Sequence, residues 1–184
     1  MIIRKFKAED LNGVLEIESN TFKERNSSIH DILYEIDAYE FLVAIDKNNI
    51  IGYVIGYTFS ENEGQISSIA VKHEYRNKRI GVRLLHRILC IFHRNSLKCV
   101  YLEVRISNKK AQRIYGQAGF ELYRIKKGHY LDGEIGIFMR KRFYGFSHQN
   151  ISCKKINAYG YISNECNDDI YTRYMPIRKD EKYI

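Results

Sequence analysis

Arg76, Asn77, Lys78 and Arg79 form a polar, mostly basic turn, and Ile80 and Gly81 follow directly. Before the turn runs a β-type stretch, Ile66 to Val71. After it come Leu84, Leu85, Ile88, Leu89 and Phe92 at helical spacing. A strand, a basic loop and a helix start, in that order, offer unpaired backbone N–H groups and the positive end of a helix dipole. This chemistry suits a phosphate-bearing ligand, and the three cations add mobile positive charge. The rival reading is a charged loop that simply faces solvent. Glu103 is a second candidate, a single carboxylate inside the apolar run from Cys99 to Val104. Such a group either works in acid–base chemistry or is neutralised by a neighbour, Arg105 or a lysine. Tyr115 is a third. It stands four residues beyond Ala111, as a packing aromatic, a hydroxyl turned into a cleft, or both.

The elements around these residues follow from periodicity. Ile2 to Phe6 alternates as a strand, and a helix with Leu11, Val14, Leu15 and Ile17 follows, with Asp10 as its cap. Thr21 to Ser28 reads as a loop and Ile29 to Tyr39 as a second helix. Phe41 to Ile45 and Ile50 to Phe59 make a hairpin around Asp46 to Asn49. Cys99 to Val104 is an interior strand, apolar on both faces apart from Glu103. Ser107 or Asn108 caps a helix carrying Ala111, Ile114, Tyr115 and Ala118, and Gly119 ends it. Phe120 to Ile125 and Ile135 to Met139 are the last strands, joined by the loop Lys126 to Gly133. The order implies an α/β (α+β) mixed sheet flanked by helices, with an antiparallel first half and a βαβ unit behind it.

Composition narrows the function classes. The chain has 184 residues and a formal charge of +8, enough for one domain with a real core and a preference for anionic partners. No apolar run is long enough to span a bilayer, and the first residues carry no signal-peptide apolar region, so a cytoplasmic protein without membrane contact is expected. Cys90, Cys99, Cys153 and Cys166 form no metal-binding spacing, and no metal is expected. Nothing matches a helix-turn-helix, zinc-finger or RNA-binding motif, which argues against sequence-specific nucleic-acid binding. Residues 145 to 184 differ in character. They hold six Lys or Arg against five Asp or Glu, and Tyr159, Tyr161, Tyr171, Tyr174 and Tyr183. The expected division is a domain over residues 1–144 and a tyrosine-rich extension over 145–184. That extension is expected to pack on the domain or on a partner, with local strands around Ala158 to Ile162.

The element order and the run from Arg76 to Gly81 resemble the GCN5-related N-acetyltransferase (GNAT) superfamily. The acetyl-CoA signature there is Arg or Gln, two residues, Gly, one residue, then Gly or Ala. Arg76 and Gly81 fit it, while Arg79 replaces the first glycine. Arg79 must then hold an ordinary α-type conformation or reshape the loop. A second match lies at residues 101–121. Leu102, Glu103, Val104, Arg105, Asn108, Ala111, Tyr115, Gly119 and Phe120 look like the branch that acts on protein N-terminal α-amines, ribosomal proteins included. Tyr130, Asp132, Gly133 and Glu134 resemble its last hairpin. The resemblance covers residues 1 to 142.

The resemblance implies a GNAT-like acyl-CoA N-acyltransferase fold with acetyl-CoA as co-substrate. It implies Glu103 as general base through water, and Tyr115 as the proton donor to the departing sulfur. Ile69, Ala70 and Val71 would lend backbone groups to the pantetheine arm where two central strands splay, and Arg76, Asn77, Lys78, Arg79, Ile80 and Gly81 would hold the pyrophosphate. Asn108 would stand beside the pantetheine arm, or serve only as a helix cap. Phe22, Glu24 and Tyr130 would line the peptide slot. His73, His86 and His93 read as loop or helix-surface residues. The expected activity is acetylation of a protein or peptide α-amine, on a ribosome or ribosomal protein among other partners. The alternatives are a lysine or small-amine acetyltransferase of the same fold, and a non-catalytic binding module.

Overall fold

The computed structural model of the protein describes residues 1–22 and 39–143. Seven strands form one sheet in the order β1-β2-β3-β4-β5-β7-β6. They are β1 (Ile2–Lys5), β2 (Tyr39–Asp46), β3 (Asn49–Ser60), β4 (Glu63–Val71), β5 (Cys99–Arg105), β6 (Glu121–Lys126) and β7 (Gly136–Arg142). The first four pair antiparallel, β4 and β5 pair parallel, and β7 inserts antiparallel between β5 and β6. The β2–β3 turn places Lys47 and Asn48 at φ 47° and 67°, the paired left-handed residues of a two-residue hairpin.

Helix α1 (Leu11–Thr21) covers one face of the sheet, burying Val14 and Ile17 against Phe41, Val43, Tyr53 and Ile55. Helices α2 (Ile80–Arg94) and α3 (Lys109–Gln117) cover the other, where Leu84, Leu85, Ile88, Phe92 and Tyr115 meet Val54, Ile66, Val100 and Leu102. Helix α2 approaches closely because β3 carries Gly56 beneath it. A Cβ there would stand 2.8 Å from the Phe92 ring and 2.7 Å from the Gln65 carbonyl.

Two local expectations are corrected. Asp10 makes no side-chain cap on α1. Its buried carboxylate accepts from Arg4 at 2.6 and 2.9 Å and from the Lys7 N–H at 2.8 Å, closing the short turn before the helix. The charged partner on β1 outcompetes the helix amides, because a hydrogen bond to a cation is the stronger one. Strand β5 is apolar on one face only. Val100, Leu102 and Val104 enter the α2–α3 core, while Tyr101, Glu103 and Arg105 line the opposite face. The expected helix over residues 29–39 and the expectations for the extension from 145 onward lie outside the described residues. Tyr39 itself opens β2.

Candidate active site

The site begins with one extra residue in β4. Ile55 pairs with Ser68 and Gly56 with Ile66, so Ser67 is left over as a β-bulge. Its hydroxyl donates to the Ile55 carbonyl at 3.3 Å. The bulge reverses the strand's alternation. Ile66 lies on the α2 side before it, and Ile69 and Val71 lie on that same side after it, while Ala70 joins the α1 core. It also bends β4 away from β5. Their pairing runs from Glu63–Cys99 to Ile66–Leu102 and stops there. From that point the two central strands diverge around a gap.

Backbone groups line the β4 side of this gap. The Lys72 N–H donates to the Ile51 carbonyl at 2.9 Å, which fixes the phase of the β3–β4 ladder. In that phase Ala70 spends its backbone groups on Tyr53, and Ile69 and Val71 turn theirs toward the gap. Of the three residues expected to serve a pantetheine arm, two therefore present N–H and C=O groups. The Val71 carbonyl accepts from Arg76 Nε at 3.1 Å, which ties the basic loop to the strand end.

The loop closes on the N-terminus of α2. Asn77 and Arg79 both have positive φ, 64° and 60°. Arg79 is the residue before the helix, left-handed at ψ 12°, and its own side chain makes no cap hydrogen bond. Of the two alternatives for Arg79, this excludes the ordinary α-type conformation and leaves the reshaped loop. Arg79 takes the backbone shape that favours glycine, because the chain must reverse there to enter α2. Ile80 buries its side chain and offers only backbone. At Gly81 an added Cβ would meet only Val71 Cγ2, at 3.6 Å, so the protein's own packing does not call for a glycine. Lys78 Nζ stands 5.0 Å from the centre of the Tyr75 ring. Lys110, from the first turn of α3, donates to Asn77 Oδ1 across the mouth of the gap.

Asn108 caps α3. Its Oδ1 accepts from the Ala111 N–H at 3.0 Å, so the side-chain carbonyl is committed to the helix. Tyr115 is 8% exposed and packs near Phe120. Burial, with a smaller contribution from Tyr130, pushes its phenol up to about 12.

Across β5 from Tyr115 lies Glu103. Among the described residues neither Arg105 nor a lysine pairs with it. Its Oε2 is 2.6 Å from His129 Nε2, in the β6–β7 loop. His129 is the partner of Glu103 that sequence reasoning missed. The two are 26 positions apart, and neither spacing nor charge links them. Arg105 instead donates to Asp132 at 2.6 Å and Glu134 at 2.7 Å and lies 4.0 Å from the centre of the Tyr130 ring. Glu134 also accepts from the Ser107 N–H at 2.8 Å. Bonding to Ser107 and then to Arg105 holds its carboxyl down, at about 2. Tyr57 of β3 faces the same space. Its phenol is raised first by burial, then by Tyr39 and Glu103.

The structure thus gathers Glu103, Tyr130 and His129 on one side of the sheet and Tyr115 on the other, with the gap beside β5. Phe22 is half-buried against the α1 core. Glu24 is outside the described residues.

Residues 11–120 match the model of the Acetyltransferase (GNAT) family. The chain belongs to this family. An uncharacterized N-acetyltransferase of Methanocaldococcus jannaschii is 37% identical over 145 residues, which cover 77% of this chain and 92% of the relative. An N-alpha-acetyltransferase of Saccharolobus solfataricus is 30% identical over 153 residues, covering 76% and 91%. The crystal structure of Ard1 from Thermoplasma volcanium superposes with a TM-score of 0.72 at 26% identity, covering 78% of this chain and 98% of that one.

As a GNAT acetyltransferase the protein uses acetyl-CoA as its co-substrate. The residues present fit that molecule. The gap has two outward backbone rungs, at Ile69 and Val71. It leads to the start of α2, with a glycine its own packing does not need, and to a basic rim. Among the described residues no His, Cys, Asp and Glu cluster could hold a metal ion, and no helix is long and apolar enough to cross a membrane.

Proposed function

We propose that this GNAT acetyltransferase acts on the α-amine of a protein or peptide. The observation that carries the reading is the placement of Glu103 and Tyr115 on opposite faces of β5, beside the gap. An acid and a base on either side of one opening can serve the two ends of a single acyl transfer. The relative named N-alpha-acetyltransferase supports the choice of amine. So does the chemistry, because an α-amine has a pKa of about 8 and a lysine one of about 10.4, and a carboxylate is a modest base.

Bound acetyl-CoA supplies the acetyl group as a thioester, with Ile69 and Val71 holding its arm and Arg76, Lys78, Arg79, Ile80 and Gly81 its phosphates. Glu103 accepts the proton of the substrate ammonium, directly or through water, and frees the nitrogen lone pair for attack. The C–N bond forms as the C–S bond breaks. Tyr115, neutral because burial opposes its phenolate, donates a proton to the leaving sulfur. The nitrogen gives up two protons in all. One restores Tyr115, and one leaves through Glu103 to solvent. Tyr130, fixed by Arg105, forms the wall of the slot for the peptide's first residue.

The test is thiol release from acetyl-CoA with short peptides that carry one internal lysine and a free or blocked N-terminus. Release only with the free N-terminus is the expected result. Equal release from blocked peptides would assign the site to lysine. Tight acetyl-CoA binding without release from any peptide would overturn the protein-acetylating reading and leave a small amine or a binding role.

A further inference from the structure

We propose that His129 is a positioning residue for Glu103: its imidazole donates from Nε2 to Oε2 and leaves Oε1 as the proton acceptor. The proposal rests on the reading of Glu103 as the base. Three features of the loop carry it.

The first is the bond itself. At 2.6 Å, Nε2 and Oε2 are close even for a hydrogen bond to a charged group. An ionised carboxylate only accepts, so Nε2 must carry the proton. This fixes a proton on Nε2 and pins one carboxylate oxygen.

The second is the other ring nitrogen. Nδ1 is buried and, among the described residues, has no hydrogen-bond partner. Nothing on that side orients the imidazole. With its donor aimed at Glu103 from Nε2, the ring turns Nδ1 into a pocket with no partner. The ring is therefore anchored through Glu103 and by packing alone, and reorienting it would break its one polar contact.

The third is the cradle. The His129 ring stands edge-on to Tyr130 and Phe138, each at 4.9 Å between centres. It also rests on the bare Cα of Gly136, where an added Cβ would come within 2.5 Å of the ring and 2.9 Å of its Cβ. Phe138 is the β7 residue paired with Glu103. Strand register, glycine and aromatic walls all aim the imidazole at one point, the carboxylate. A free Glu103, about one-third exposed, could swing among rotamers. Held by His129, it presents a single oxygen, and positioning of that kind raises the rate of the chemical step.

The experiment compares His129→Phe, which keeps a packing ring, with His129→Gln, which keeps a side-chain N–H donor. Expected is a loss of about 10- to 100-fold in kcat for His129→Phe, with KM for peptide and acetyl-CoA nearly unchanged, and recovery of most of that loss in His129→Gln. A merely structural ring would give the opposite order, with Phe tolerated and Gln impaired, and that result would overturn the proposal. A measurement on the resting protein keeps it separate from the assigned reaction. Nitrogen-15 NMR should show a hydrogen-bonded Nε2–H on His129 in the native chain and lose that signature in Glu103→Ala, which leaves no acceptor. If no peptide is acetylated, this readout still decides. An Nε2–H signal that ignores Glu103→Ala means the pair does not exist, whatever the enzyme acetylates.

Discussion

The Arg105 guanidinium lies over the Tyr130 ring, 4.0 Å from its centre, while the same group bonds Asp132 and Glu134. One side chain thus closes the β6–β7 loop from the strand that also carries Glu103. The planar fork makes this possible, and a lysine ammonium cannot reproduce both the stacking and the paired bonds. Arg105→Lys is expected to raise KM for the peptide by roughly 3- to 10-fold and to change kcat little. Steady-state kinetics on an acetylated peptide checks it. A fall in kcat at constant KM would mean that the arginine acts on the chemistry and not on the slot.

Glu134 makes the same loop sensitive to acid. Its folded carboxyl, at about 2, lies below the ordinary value of 4.5. A depressed carboxyl contributes stability that is present above the unfolded value and is lost as pH falls toward the folded one. The native chain should therefore lose Tm between about pH 4.5 and pH 2 more steeply than Glu134→Gln. The two Tm curves should converge toward pH 2. Thermal melts at half-unit steps of pH would show this, and parallel curves would remove Glu134 from the account.

Arg79 holds a left-handed backbone at φ 60°. For a residue with a Cβ this conformation costs about 1–2 kcal/mol, which glycine avoids. Arg79→Gly is expected to stabilise the free protein by about 1 kcal/mol, seen as a higher urea midpoint at unchanged slope. It removes a cation from the rim at the same time. Acetyl-CoA binding by calorimetry should weaken, and weaken less at high salt, where the lost charge matters less.

The Tyr115 phenol is pushed up to about 12. It stays protonated across the working range of an enzyme. Tyr115→Phe should lower kcat by about 100-fold while leaving acetyl-CoA affinity intact. The native enzyme should show no loss of kcat near pH 10, where an ordinary phenol ionises. A basic limb centred near pH 10 that disappears in Tyr115→Phe would contradict the burial argument.

Much of this architecture was readable from residue order. The α2 face from Leu84 to Phe92 is one unbroken stripe, and the strands before and after it are short and apolar. Local pattern and tertiary packing agree there. Strand β5 misled because tyrosine reads as apolar. Tyr101, Glu103 and Arg105 alternate with Val100, Leu102 and Val104, yet only Glu103 stood out as polar. Asp10 misled because the competing partner, Arg4, sits on a neighbouring strand and not on the helix. The partnership of Glu103 with His129 is set by the β5–β7 register and the path of the loop, neither of which leaves a local mark. The left-handed Arg79 was hidden for a related reason. Its side chain reads as a charge, while its structural task belongs to the backbone. The bulge at Ser67 carries no glycine or proline to announce it.

That bulge gives the chain a length-dependent vulnerability. Most of β4 tolerates exchange of one side chain for another of similar size, because the backbone path is kept. Loss of one residue at Ser67 is a different kind of lesion. It would restore regular alternation, leave Ile66, Ile69 and Val71 on the α2 side where they already lie, and let β4 continue alongside β5. The sheet would gain hydrogen bonds and lose its opening. A shortened chain of this kind should remain folded and resist urea, yet fail to retain acetyl-CoA. For this enzyme, then, the missing rungs between two central strands are the asset, and a more complete sheet would be a dead one.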